Sequence, residues 1–75
     1  GRIFVDAYGK TPMTYLTTVR AEHLARLLRE TDLSIEAAMR EVGWRSRGHA
    51  ARMFRHAVGV TPTRYRLMIR QRAAA

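Results

Sequence analysis

Apolar residues recur every three to four positions along most of the chain, which is the spacing that places them on one face of an α-helix. Over residues 12–31 this pattern is uninterrupted, and on a helical wheel its main apolar positions span a stripe roughly 120° wide. They are Met13, Leu16, Leu24, Leu27 and Leu28. No stretch alternates between apolar and polar residues as a half-buried strand would. The sequence therefore predicts an all-α fold with a long helix at 12–31.

Capping residues divide the rest of the chain into shorter helices. Ser or Thr at the N-cap and Pro in the first turn begin a helix, and Gly in the left-handed conformation ends one. The predicted N-caps are Thr11, Ser34, Ser46 and Thr61, and the predicted stops are Gly9, Gly43 and Gly59. These signals predict the end of a helix at 2–8, helices at 35–42 and 47–58, and a last helix from Pro62.

The segment from Ser34 to Val58 has the form of a helix-turn-helix: a short helix, a turn that opens with Gly43, and a second amphipathic helix. On a helical wheel the second helix has an apolar face and an opposite polar face without an acid. The apolar face is Ala50, Met53, Phe54, Ala57 and Val58, and the polar face is Gly48, His49, Arg52, Arg55 and His56.

Part of the chain repeats itself. Residues 2–20 reappear at 52–70 with eight of nineteen positions identical, which is typical of a duplicated structural unit. The second copy has an upstream part that the first lacks. We therefore expect a truncated first unit at 1–11, a linking helix at 12–31 and a complete second unit at 32–75. Truncation is expected to leave Ile3, Phe4 and part of the linking helix exposed, or buried by self-association.

The net charge of +8 is distributed unequally. Residues 1–42 carry six basic and six acidic side chains, whereas residues 43–75 carry eight arginines and no acid. Such an asymmetry indicates a polyanionic partner, and arginine suits bidentate contact with phosphate or guanine. The alternative is a solvated face that aids solubility, but such a face usually mixes both signs.

Composition excludes several classes of protein. Without cysteine there is neither a disulfide nor a thiolate zinc site, and the three histidines lack metal-ligand neighbours, so we expect no metal or cofactor. The sequence contains no grouping of nucleophile, base and acid, so we do not expect an enzyme. No apolar run approaches the ~18 residues of a membrane span and no signal-peptide pattern is present, so we expect a cytoplasmic protein without a membrane partner.

The order and spacing of many residues resemble the signature of AraC/XylS-type bacterial transcription regulators. The matching residues of the second unit are Ser34, Ile35, Ala38, Val42, Gly43, Trp44, Arg52, Phe54, Gly59, Thr61, Pro62, Tyr65 and Arg66, and the earlier ones are Gly9, Thr11, Pro12, Tyr15, Leu16, Arg20, Leu27, Leu28 and Thr31. The resemblance implies two helix-turn-helix units joined by a central helix at 12–31. Each unit would place one helix in the major groove of double-stranded DNA, with 2–8 the remnant of the first such helix and 47–58 the second.

This resemblance, together with the polar face and its charge, defines candidate DNA contacts. Base-contacting candidates are Arg47, Gly48 and Arg52, and phosphate-contacting candidates are Arg45, Ser46, His49, Arg55 and Arg2. Arg52 lies in the middle of the polar face, and an arginine–guanine pair is the commonest specific contact, although a phosphate contact is the alternative. Gly48 replaces a serine common in the family, which indicates either close approach to DNA or a neutral change at an exposed site. For Arg64 and Arg66, contact with the DNA backbone, solvent exposure and intramolecular bonding stay open.

Other polar and aromatic residues are predicted to have structural roles. Arg20 falls inside the apolar stripe of the long helix, where an unpaired charge would be costly, so we expect an ion pair with Glu36 or Glu41. Trp44 is expected to be in the core between the two helices of the motif. Glu22 with Arg26 and Glu36 with Arg40 have the i,i+4 order that supports exposed helix faces.

The main hypothesis is sequence-specific binding of double-stranded DNA as part of a bacterial transcription regulator. The alternative is a basic helical module that docks an acidic protein surface, for instance on RNA polymerase, and the two can coexist. An amphipathic helix at a membrane surface is disfavoured because the leucines and aromatic residues fit a packed core better than a lipid-facing stripe.

Overall fold

A computed structural model describes residues 11–74, which form four α-helices and no strand, as the all-α prediction requires. We number them α1 (Pro12–Glu30), α2 (Ile35–Glu41), α3 (Arg47–Val58) and α4 (Pro62–Ala74). The predicted helix end at 2–8, its stop at Gly9 and the candidate phosphate contact Arg2 lie outside the described residues.

The helix ends lie where the sequence predicted them. At each of the four predicted N-caps the side-chain oxygen accepts the backbone N–H three residues further on, at 3.1–3.3 Å. Gly43 and Gly59 have φ angles of 97° and 101°, which residues with a Cβ rarely adopt. Gly59 directly follows α3, and Gly43 comes two residues after the end of α2. Local capping chemistry therefore accounts for the division of residues 11–74 into four helices.

The core lies at the C-terminal half of α1, where the other three helices pack against it. Leu24 of α1 and Phe54 of α3 are completely buried, and the Phe54 ring meets the edge of Tyr65 of α4 with ring centroids 5.6 Å apart. Trp44 is 4% exposed, which confirms its predicted place in the core. The buried residues of the hydrophobic core cluster are Ala21, Leu24, Ala25, Leu28, Ala38, Met39, Val42, Trp44, Ala50 and Phe54.

The apolar stripes predicted for α1 and α3 are longer than the faces that the fold buries. Met13 is 72% exposed and Leu16 is also exposed, because the buried residues of α1 lie between Ala21 and Leu28. At the end of α3, Ala57 and Val58 are exposed as well. The wheel predicted the correct side of each helix, but not how far along the helix the neighbours reach.

Arg66 connects α4 to the loop between α1 and α2. Its guanidinium is buried and donates one hydrogen bond to the carbonyl of Leu33 and another, of 3.1 Å, to the carbonyl of Thr31. These bonds decide its role as intramolecular, one of the three possibilities that the sequence left open. Arg64, two residues earlier on α4, is exposed.

Two ion pairs form within the described residues. Arg26 pairs with Glu30 rather than with Glu22, with Nε and Oε2 2.6 Å apart, and Glu36 pairs with a residue of α3 rather than with Arg40. Within the described range, Arg20 makes no ion pair, so the one expected with Glu36 or Glu41 is wrong. Its guanidinium instead lies against Gly43, where a Cβ would be only 3.4 Å from Arg20 Nη2.

Candidate nucleic-acid interface

Helix α3 is anchored to the core of the domain by one apolar face. Ala50 and Phe54, four residues apart on the same face of α3, are both fully buried against the core. The opposite face must then point away from the protein. All five residues predicted for that polar face are exposed: Gly48, His49, Arg52, Arg55 and His56. Burial of the apolar face thus leaves the polar face of α3 accessible to a partner.

The exposed face of α3 is cationic and largely uncompensated. Within residues 11–74, no carboxylate lies within ion-pair distance of Arg45, Arg52 or Arg55. Arg52, Arg55, His56 and Gly59 line a shallow recess of about 370 Å³ on this face. Uncompensated guanidinium groups beside a recess favour contact with an anionic partner, since they have donors and charge available.

Arg47, the first residue of α3, has an acidic partner in the unbound domain. Its Nη1 donates to Oε1 of Glu36 in α2, with 2.7 Å between the two atoms. Both side chains also line a recess of about 270 Å³ between α2 and α3. The recess is lined by Glu36, Met39, Arg40, Trp44, Arg45 and Arg47. One carboxylate therefore faces three guanidinium groups at this end of the motif.

Gly48, the second residue of α3, has open space where a side chain would begin. A Cβ at this position would have no heavy atom within 4 Å, and the φ angle of Gly48 lies outside the positive range. Neither packing nor backbone conformation within the protein requires glycine here. Close approach by a partner at the start of α3 and a neutral change at an exposed site therefore both remain open for Gly48.

The start of α3 combines several features that suit an anion. The Ser46 hydroxyl accepts the N–H of His49 at 3.3 Å, and a hydroxyl that accepts can still donate its own proton. The N-terminus of a helix carries partial positive charge, here beside Arg45 and Arg47. The structure thus gathers the described candidates on α3 and the turn before it, but it also adds Glu36, which sequence reasoning did not assign to this site. Its partner lies eleven residues away on another helix, a separation without a periodic signal.

A short helix, a glycine turn and an exposed cationic helix anchored by its apolar face define a helix-turn-helix domain, a class that binds DNA. The sequence model described as "Helix-turn-helix domain" matches residues 1–68 of this chain. The chain belongs to this family, and within it to the AraC type of DNA-binding domain in transcription regulation.

Two relatives support the same conclusion. An HTH-type transcriptional regulator of Haemophilus influenzae is 35% identical over 65 residues, which cover 87% of this chain and 22% of that protein. The MmsAB operon regulatory protein of Pseudomonas aeruginosa is 29% identical over 72 residues, which cover 91% of this chain and 24% of that protein. The chain thus spans about a quarter of the length of these curated relatives. No solved structure matches the chain significantly.

Two further findings concern enzymatic activity and membrane-spanning helices. Members of this regulator family are typically not enzymes. Across the described residues, each helix is too short or too polar to span a membrane.

Proposed function

We propose that this chain is the DNA-binding part of a bacterial transcription regulator and binds double-stranded DNA sequence-specifically, with α3 in the major groove. The observation that carries this proposal is the acid-free polar face of α3, held outward by the buried residues Ala50 and Phe54. An α-helix fits the width of the major groove, where each base pair presents a distinct set of donors and acceptors. Such a role places the protein in the cytoplasm, where bacterial DNA lies.

We assign base contacts to Arg47, Gly48 and Arg52. Arg47 and Gly48 open α3, and residues at the start of a recognition helix meet base edges. Arg52 lies one turn further along the exposed face, with no protein partner among the described residues that would have to be displaced. The open space at Gly48 leaves room for a close approach by DNA.

Phosphate contacts fix the position of a protein on DNA without reading its sequence. We assign them to Arg45, Ser46, His49 and Arg55 of the described residues, together with Arg2 outside that range. Arg45 and Ser46 precede α3, whereas Arg55 is two turns along it, so these side chains flank the proposed base-reading residues. This arrangement supports contact with the backbone on both sides of one groove.

Salt dependence tests the proposal. Neutralising about six phosphates predicts a slope near −5 for the logarithm of the association constant against the logarithm of salt concentration. The measurement is fluorescence anisotropy with a labelled duplex between about 50 and 200 mM salt, a range over which several phosphate contacts change the affinity by orders of magnitude. A slope shallower than about −2 contradicts phosphate binding of this extent.

Selection of duplexes from a random library tests sequence specificity separately. Repeated rounds with the chain should enrich a short common sequence of a few base pairs under α3. Enrichment of no sequence, with the steep salt slope intact, would restrict the function to non-specific DNA binding.

A second candidate is an acidic protein surface, for instance on RNA polymerase, docked on α4. Leu67 and Met68 are exposed on α4 beside Arg64 and Arg70, and α4 contains no acid. Competition with random duplex DNA separates the candidates, because DNA displaces only a partner that shares the α3 face. Self-association through Met13, Leu16 and Val19 on α1 is testable by sedimentation.

A further inference from the structure

The bond between Glu36 and Arg47 joins the two helices of the motif at the surface that we assign to DNA. Glu36 is the second residue of α2, and Arg47 is the first residue of α3. Each therefore lies in the first turn of its helix, and the bond of 2.7 Å spans the gap between these turns. Within the described residues, Glu36 is the one acid in ion-pair distance of α3.

Fold stability does not explain this ion pair. The side chains of Arg47 and Glu36 are 62% and 57% exposed, and ion pairs in such an environment contribute little to stability. The turn already has stronger determinants: the buried Trp44 ring, the Ser46 cap and the left-handed Gly43. The pair is thus better explained by what Arg47 does on the surface than by what it does for folding.

A guanidinium group that is bonded through one nitrogen keeps most of its donors. Arg47 uses Nη1 for Glu36, and the remaining N–H groups of the planar fork stay available for a second acceptor. Because the carboxylate fixes one side of the fork, it also restricts the directions in which the other side can point. Arginine restrained in this way loses less conformational entropy when it meets a base edge.

The same carboxylate competes with phosphate for Arg47. A phosphate that bonded Arg47 Nη1 from the side of α2 would have to displace the carboxylate of Glu36. Arg40 and Arg45 line that recess too, but they have no carboxylate partner in the described part of the chain. Arg47 is therefore distinguished from its cationic neighbours by a bonded carboxylate, which restricts its direction and offsets its charge.

We propose that Glu36 is a specificity-determining residue that holds Arg47 for base readout and withholds it from non-specific phosphate contact. This inference rests on the proposed function, because it assumes that α3 meets duplex DNA. Glu36 acts through Arg47 and is thus a positioning residue rather than a direct contact.

The test compares Glu36→Gln with a matched control, Glu30→Gln. Both substitutions remove one negative charge from an exposed ion pair with arginine, but the pair of Glu30 lies within α1. Two probes are used: a random 30-base-pair duplex, and the duplex that the wild-type chain selects from a random library. Affinity for each is measured by anisotropy as a function of salt, and circular dichroism checks that the variants fold.

Glu36→Gln should bind the random duplex about five-fold more tightly near 0.15 M salt, with a salt slope steeper by about one, since the released Arg47 neutralises one further phosphate. Affinity for the selected duplex should rise less or fall, so the ratio of the two affinities decreases. Glu30→Gln should leave this ratio unchanged.

A double-mutant cycle with Arg47→Ala shows whether Glu36 acts through Arg47. In the Arg47→Ala background, Glu36→Gln should no longer change the affinity ratio. If the ratio changes equally with and without Arg47, or if Glu36→Gln behaves like Glu30→Gln, the inference is wrong. Failure of the proposed function looks different: the wild-type chain itself would then show a shallow salt slope or select no sequence.

Discussion

At the scale of single residues, Arg52 has the clearest assignment in the interface. It lies in the middle of the exposed face of α3 and has no acidic partner in the described part of the chain. Arg52→Ala should therefore weaken binding to the selected duplex by about 1–3 kcal/mol and relax the preference at one base position. Binding curves with single-base variants of the selected duplex measure both effects.

Arg72→Ala is the matched control for Arg52→Ala, because it removes the same charge from the exposed last turn of α4. It should weaken the binding of all duplexes slightly and equally. If Arg52→Ala also weakens all sequences alike, Arg52 contacts phosphate and not a base.

For a substitution at Gly48 we expect the stability of the domain and its affinity for DNA to change in opposite directions. Because a Cβ meets no atom within 4 Å, Gly48→Ala should stabilise the free domain, by up to about 1 kcal/mol. The added methyl group should nevertheless weaken binding to DNA if the start of α3 approaches the duplex closely. Urea unfolding and anisotropy on the same variant measure the two quantities, and unchanged or tighter binding would assign Gly48 to neutral change.

At the scale of elements, Arg66 holds the end of α1 and the start of α2 to α4. The last carbonyls of a helix lack partners within the helix, and the loop carbonyls of Thr31 and Leu33 receive theirs from the buried guanidinium of Arg66. Next to this contact, Arg29 Nη1 donates to the Tyr65 hydroxyl at 2.8 Å, and this hydrogen bond raises the pKa of the Arg29 guanidinium. α4 thus contributes to the fold through polar contacts as well as through the core.

Replacing Arg66 by Met keeps most of the apolar stem but removes both hydrogen bonds. The free energy of unfolding should fall by about 2 kcal/mol, as expected for bonds from a charged donor to otherwise unpaired carbonyls. Arg66→Lys should recover only part of this loss, because an ammonium group does not reproduce the planar fork that reaches both carbonyls. Urea denaturation measures each value.

The control for Arg66 is Arg64→Met, two residues earlier on α4 and exposed. It should change the free energy of unfolding by no more than about 0.5 kcal/mol. An equal loss in both variants would mean that the buried contacts of Arg66 do not stabilise the domain.

At the scale of the whole molecule, stability depends on a small core centred on Phe54. Globular proteins have roughly 0.05–0.15 kcal/mol of stability per residue, and removing a buried phenylalanine costs about 3–5 kcal/mol. Phe54→Ala should therefore remove much of the stability of this 75-residue chain and make its unfolding less cooperative. Circular dichroism during heating should show a broad transition at a much lower temperature.

Val58→Ala provides the comparison on the same helix, because Val58 is 38% exposed. It should destabilise the domain by less than about 1 kcal/mol. Similar losses for both variants would contradict a core concentrated at Phe54.

The predictable part of this protein is the part that depends on local chemistry. Capping by Thr11, Ser34, Ser46 and Thr61 involves residues within three positions of each other, so the helices could be located from the sequence. The exposed face of α3 follows in the same way from helical periodicity and from the absence of acids after residue 42.

Contacts between helices could not be predicted in the same way. The ion pair expected for Arg20 is wrong because the packing of α1 places its guanidinium against Gly43, while Glu36 is bonded to Arg47. The exposure of Met13 and Leu16 depends on where α2, α3 and α4 meet α1, which periodicity along one helix does not contain.

The sequence by itself therefore determined the helices, the cationic face of α3 and the DNA-binding class, because each depends on spacing or composition along the chain. Only the tertiary structure decided that Arg66 donates hydrogen bonds to the loop between α1 and α2 and that Arg47 is restrained by Glu36. The physical reason is distance. An arginine side chain is long enough to reach any of several acceptors, and the packing of the helices decides which acceptor lies close enough to form a hydrogen bond.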